Sequence, residues 1–178
     1  LPTSLGDLTA TLKASGDYQS AAKARNDALA AESTEARAAY EARSQRAWDR
    51  DPMSMARAMA EIIAGTPDNA VVVEEAITAG LDLAQAFEFS TPGDYLSGRG
   101  GGIGQGLAGA IGAKQGQPER PVLAVSGDGS AMYSIQALWS AAHHDLDIVF
   151  VILVNREYRI LKHNMDTYRQ RFDANSNQ

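Results

Sequence analysis

The sequence holds 178 residues with 16 Lys and Arg against 22 Asp and Glu, a formal net charge of −6. That acidity argues against nucleic acid or an anionic membrane surface as partner, and no apolar stretch approaches the roughly 18 to 20 residues of a membrane span. Cysteine is absent and no signal peptide is visible, so a reducing cytoplasm is the default compartment, while 44% hydrophobic content with 16 glycines fits an α/β globule.

Residues 1–50 carry no pattern with evident chemistry, and the first residue is Leu1 rather than Met, so the native amino terminus is expected upstream. Residues 20–50 are rich in Ala, Glu and Arg with little apolar patterning, which reads as a solvated or interdomain linker helix. Asp51-Pro52 then looks like an N-cap with Pro at the first helical position, opening a helix to about residue 64. Thr66-Pro67-Asp68-Asn69 ends that helix, and Val71-Val72-Val73 reads as a buried strand whose following residues should reach a sheet edge. Glu74 and Glu75 invite an acid/base role, set against a strand end where one carboxylate caps the next turn.

Ser90-Thr91-Pro92-Gly93-Asp94 is turn chemistry. A glycine cluster follows, Gly98 to Gly106, and leads into a small-residue helix over about residues 105–113. Gly104, Gly106 and Gly109 match Gly-x-Gly-x-x-Gly, with Asp128 at a plausible distance for a ribose-binding acid, but no strand is predicted before the glycines as a dinucleotide site requires. Close helix–sheet packing is the structural alternative for the same glycines.

Two apolar runs follow, residues 121–125 and 148–154, and the 132–146 segment between them repeats Ile135, Leu138, Trp139, Ala142 and Leu146 at helical spacing. Strand, helix, strand with short connections is a right-handed parallel crossover, which brings both strand ends to one side of the sheet. The first run ends in Gly127-Asp128-Gly129-Ser130 and the second in Asn155, 27 positions beyond Asp128 by subtraction. A carboxylate, an amide oxygen and a nearby backbone carbonyl suit Mg²⁺, which completes an octahedral shell with waters and phosphate oxygens. Gly127 and Gly129 permit close backbone approach to a diphosphate, and amides at the next helix start favour an anion. Taken alone, Gly-Asp-Gly is equally a tight turn, and Asn155 a strand-end cap.

Arg156, Arg159, Lys162, His163, Arg169 and Arg171 make the last segment basic, either to neutralise a neighbouring diphosphate or as a solvated helix face. His143 and His144 are adjacent and do not face one another on a helix, so a metal pair is not expected there.

Gly-Asp-Gly followed after a gap in the mid-twenties by Asn resembles the signature of thiamine diphosphate (ThDP) enzymes. The stretch Gly127-Asp128-Gly129-Ser130-Ala131-Met132-Tyr133-Ser134-Ile135-Gln136-Ala137-Leu138-Trp139 is similar to benzoylformate decarboxylases, and less closely to acetolactate synthase large subunits. The resemblance implies a parallel sheet flanked by helices, and Mg²⁺ held by Asp128, Asn155 and the main-chain carbonyl of Glu157. It implies diphosphate contacts from Gly127, Gly129, Ser130, Tyr158, Ile77 and Thr78. It also implies that a carbonyl near Gly101 and Gly102 meets the aminopyrimidine, while Ile103 wedges beneath the cofactor and holds it bent. Ile160 and Leu161 are implied at the border of a substrate cavity. Val154 stands where a second Asn is frequent, and Arg156 and Arg159 stand where Gly is frequent.

On this resemblance residues 1–50 are the end of a middle domain with a linker, and residues 51–178 a diphosphate-binding domain whose sheet reads as incomplete at its C-terminus. The implied activity is decarboxylation of a 2-oxo acid, with acetolactate-synthase-like carboligation as the alternative and a non-catalytic Mg²⁺–diphosphate module as the reading from another class. The activating glutamate is expected in the pyrimidine-binding domain of a neighbouring subunit, within a homodimer or homotetramer. These 178 residues alone are therefore expected to be inactive.

Overall fold

The computed structural model describes residues 2–89, 91–98 and 100–172. The chain divides into two compact units, Leu1–Asp51 and Pro52–Gln178. In the first, helices α1 (Pro2–Ala14) and α2 (Gly16–Arg46) meet at Ser15, whose hydroxyl oxygen accepts the amide of Tyr18 as an N-cap. No residue of α1 is buried, and α2 buries only Tyr40 and Ser44, in keeping with its polar composition.

The second unit begins with α3 (Met55–Ala64), capped by the Ser54 side chain accepting from the Arg57 amide. The cap expected at Asp51-Pro52 therefore lies three residues later, because Ser54 offers the short hydroxyl that satisfies a first-turn N–H. Next come β1 (Val71–Glu75), α4 (Gly80–Ala86), β2 (Tyr95–Ser97), α5 (Gly106–Gly116) and β3 (Val122–Gly127). Two short helices, α6 (Asp128–Met132) and α7 (Ala137–His143), precede β4 (Ile148–Leu153) and α8 (Arg159–Phe172).

The four strands form one parallel sheet in the order β2-β1-β3-β4. Helices cover both faces, and the side chains alternate between them. Val72, Leu123 and Val125 join Met59, Leu83 and Phe87 on the α3/α4 face. Val71, Val73, Val122 and Ala124 join Ala110 and Ala113 of α5 on the other. A strand buried on both faces needs no polar residue in its period, hence the unbroken valine run. Each fully buried Leu or Val contributes roughly 1.5–3 kcal/mol by leaving water.

Two further features depart from expectation. The helix expected over residues 132–146 is broken: α6 starts at Asp128 itself, and Tyr133, Ser134 and Ala137 make three-residue turns back to Ser130, Ala131 and Ser134. Ala131 and Ala137 both pack on Leu107, yet six residues along one helix would turn them by about 240° onto different faces, so the break lets both bury. The apolar spacing misled here, since Trp139 and Ile135 are exposed and the small Ala137 and Ala141 face the core. The second departure is β2, which pairs Tyr95, Leu96 and Ser97 with Val72, Val73 and Glu74, so a short edge strand does precede the glycine cluster. Three residues beside a turn carry too little periodicity to be read as a strand.

Candidate functional site

Parallel pairing places the carboxyl ends of β1, β3 and β4 side by side, with Glu75 level with Ser126 and Gly127 level with Leu153. Ligands of open α/β sheets bind at such an edge. A cavity of about 330 Å³ opens there. Ile77 and Thr78 line it from beyond β1, Ile103 from the glycine loop, and Gly127, Asp128, Gly129 and Ser130 from the β3–α6 junction. Asn155, Glu157 and Tyr158 complete the wall beyond β4, joined by Met132, Arg156, Arg159 and Ile160, and Arg156 and Arg159 bring two cations to it. Gly101, Gly102 and Leu161 are not among its lining residues.

The oxygens of the Asp-Asn pair are organised by backbone amides. Asp128 Oδ1 accepts the Gly129 amide at 3.0 Å, and Oδ2 accepts the Arg156 amide from the far strand at 3.3 Å. Asn155 Oδ1 accepts the Glu157 amide at 3.0 Å, an Asx turn that bends the chain after β4. The Glu157 carbonyl accepts the Arg159 amide at 2.9 Å. Its side chain points elsewhere: a hydrogen bond from Lys162, and then that ammonium's charge, hold the Glu157 carboxyl below the usual carboxylate range.

The backbone is strained at this edge. Among the described residues, three non-glycine residues have positive φ, and two of them, Ile77 at 45° and Arg156 at 57°, line the cavity. Such conformations cost of order 1–3 kcal/mol each and concentrate at functional sites. Gly104, at φ 91°, is required twice over, because an added Cβ would stand 2.6 Å from Tyr133 Cβ. A Cβ added at Gly129 would stand 3.7 Å from Tyr158 Cε1, an ordinary contact distance.

Both glutamates at the end of β1 act as hydrogen-bond acceptors. Glu74 Oε1 accepts the Ala76 amide at 2.6 Å, a local cap, and its Oε2 accepts the Tyr95 hydroxyl at 3.3 Å. Glu75 is buried and reaches across sequence to the amides of Gly104, Gln105 and Gly106, a contact that sequence reasoning missed. A signal for it existed: α5 follows Gln105, whose side chain makes no cap bond, so the helix start needs an acceptor from elsewhere. His143 stacks on Trp139 at the end of α7, and among the described residues no three His, Cys, Asp or Glu side chains gather as a metal cluster.

The model of the thiamine pyrophosphate enzyme C-terminal TPP-binding domain matches residues 78–178. A Mycobacterium tuberculosis protein with the provisional name acetolactate synthase large subunit IlvX is 46% identical over 96 residues, 54% of this chain and 19% of its own. Benzoylformate decarboxylase of Pseudomonas aeruginosa is 43% identical over 96 residues, 54% of this chain and 18% of its own. The solved structure of the Rhodococcus jostii RHA1 thiamine diphosphate-dependent 4-hydroxybenzoylformate decarboxylase superposes with TM-score 0.63 at 36% identity, over 66% of this chain and 22% of that one. The chain thus spans about a fifth of the length of the curated relatives it matches. A parallel sheet with helices on both faces, a cavity where β1, β3 and β4 end, and the family match across residues 78–178 agree, and the chain belongs to the thiamine pyrophosphate enzymes through their C-terminal TPP-binding domain.

Proposed function

We propose that the full-length protein is a ThDP- and Mg²⁺-dependent lyase that decarboxylates a 2-oxo acid, with this chain supplying the diphosphate and metal site. The observation that carries the reading is the single cavity onto which Asp128, Asn155, Ser130, Thr78 and Ile103 converge from three strand ends and the glycine loop. The donor chemistry supports Mg²⁺. Asp128, Asn155 and the Glu157 carbonyl are hard oxygens, and each such oxygen that accepts one amide keeps a second lone pair. One carboxylate and two neutral oxygens do not make an all-protein cage, which suits a cation that shares its shell with phosphates and water.

When bound, ThDP supplies the carbanion-stabilising chemistry that a bond cleavage next to a carbonyl needs. The chain's own part is orientation. The α6 start and Ser130 would present amides to the diphosphate, Asp128 and Asn155 would hold the cation, and Ile103 would give the thiazolium and aminopyrimidine an apolar support. Gly101 and Gly102, in the loop that carries Ile103, would offer backbone to the aminopyrimidine. Residues 1–50 belong to the end of a middle domain and 51–178 to the diphosphate domain, a division supported by the split between Asp51 and Pro52. The pyrimidine-binding domain of a neighbouring subunit closes the site in a cytoplasmic homodimer or homotetramer.

The 46% identity to a protein named for acetolactate synthase favours a second reading, carboligation with a second 2-oxo acid. A panel of aliphatic and aromatic 2-oxo acids, given to the full-length protein with ThDP and Mg²⁺, separates the two. Aldehyde as sole product supports the lyase, 2-hydroxyketo acid supports the carboligase, and no turnover of any member overturns both.

A further inference from the structure

Glu75 closes β1, is 6% exposed, and spends its carboxylate on three successive backbone amides. Gly104 donates to Oε1 at 2.6 Å, Gln105 to Oε1 at 3.0 Å, and Gly106 to Oε2 at 2.8 Å. These amides lead into α5, whose dipole favours a negative charge at that end. Bonds to an ionised acceptor are the strong class, and three of them fix a loop that Gly100, Gly101 and Gly104, all at positive φ, would otherwise leave free. The Gln105 side chain ties the loop from its other side by donating to the Gly102 carbonyl at 3.0 Å.

The consequence reaches the cavity from two directions. Ile103, immediately before the first clamped amide, lines it, as do Ile77 and Thr78, two and three residues beyond Glu75 on the same strand end. We propose that Glu75 is a positioning residue: its carboxylate sets the separation between the β1 wall and the glycine-loop wall of the cofactor cavity, so that the loop is preformed before ThDP arrives. The inference rests on the ThDP reading of the cavity. Glu75 touches neither cofactor nor substrate on this account and acts through Ile103 and the loop backbone.

Two variants perturb the clamp by different routes. Glu75→Gln keeps the shape but replaces one acceptor oxygen with a donor that faces an amide. Gly106→Ala keeps the charge but places a Cβ 2.8 Å from Glu75 Cβ and 3.0 Å from Oε2, which pushes the carboxylate away. Gly112→Ala, on the same helix with nothing within 4 Å of the added Cβ, is the control. ThDP affinity in the presence of Mg²⁺ is measured by calorimetry on the full-length protein, at a temperature where circular dichroism shows each variant folded. Both clamp variants are expected to lose about tenfold in affinity, the scale of one charge-assisted hydrogen bond, while the control binds as the parent does. A purely structural role predicts lower Tm with unchanged affinity in the folded protein, and that result overturns the proposal. A parent protein that does not bind ThDP with Mg²⁺ defeats the cofactor reading instead. If neither clamp variant folds, hydrogen exchange on the parent decides: amides of Gly104, Gln105 and Gly106 protected without ThDP support a preformed loop, and exchange at open-loop rates overturns it.

Discussion

The main-chain N–H of Arg156 donates to Oδ2 of Asp128 at 3.3 Å, joining the ends of two strands across 28 positions of sequence. The bond fixes the distance between the carboxylate after β3 and the amide oxygen of Asn155 after β4, and hence the bite of the proposed cation site. Arg156 makes it from φ 57°, a conformation that suits glycine.

That strain predicts an inverted order of stability. A non-glycine residue in the left-handed region costs roughly 1–2 kcal/mol, part of which glycine returns as unfolded-chain entropy. Arg156→Gly should therefore be more stable than Arg156→Ala by about 1 kcal/mol, the reverse of the usual preference. Urea unfolding of the two variants checks it, and an Ala variant at least as stable as the Gly variant would contradict the strain.

Asp128→Ala should abolish Mg²⁺-dependent ThDP binding measured by calorimetry, because a hard cation loses its only carboxylate. Asp128→Asn keeps an acceptor for the Gly129 or Arg156 amide without the charge, and it should also bind poorly. Undiminished affinity in either variant rejects the metal assignment.

Replacing Ile103 by Gly should lower turnover more than cofactor affinity if this side chain shapes the cofactor and does not merely retain it. The comparison is kcat against the ThDP dissociation constant. An unchanged kcat removes Ile103 from that role.

The opposite end of the sheet provides a test of stability without function. Arg120 donates to the carbonyls of Asn69 and Ala70 at 2.7 and 3.0 Å, to Asp94 at 2.7 Å and to Gln117 at 2.9 Å, tying three loops together before β3 begins. Arg120→Ala should cost roughly 2–4 kcal/mol, since it takes the guanidinium from the Asp94 carboxylate and the same donor from the Asn69 and Ala70 carbonyls. About 20 Å of strand separate it from the cavity, so ThDP affinity of the folded variant should match the parent.

Burial, and then the Glu74 carboxylate, push the Tyr95 phenol well above its ordinary value of 10.0. The folded state keeps this proton where the unfolded chain releases it. The resulting contribution is whole below the unfolded value and is lost as pH rises through the folded one. Tyr95→Phe should lose less stability than the parent between about pH 9 and about pH 11 in urea titrations. Equal losses would show that Tyr95 does not carry the effect.

Much was legible in the sequence by itself. Asp128 and Asn155 sit at the ends of apolar runs long enough to be strands, and the chain between them is long enough only for a crossover, so topology delivers them to one edge. The valine run of β1 announced a strand covered on both faces for the same local reason. Tertiary structure decided the rest. Whether residues 128–146 form one helix depended on burying Ala131 and Ala137 together against Leu107, a demand that spacing within the segment does not encode. The strand Tyr95–Ser97 exists because β1 offers it an edge. The partners of Glu75 lie 29 to 31 residues away, and a buried carboxylate finds whichever amides the fold leaves unsatisfied. Local periodicity determines which elements form, while long-range satisfaction of polar groups and filling of the core determine how they bend, break and hold the loops that line the cavity.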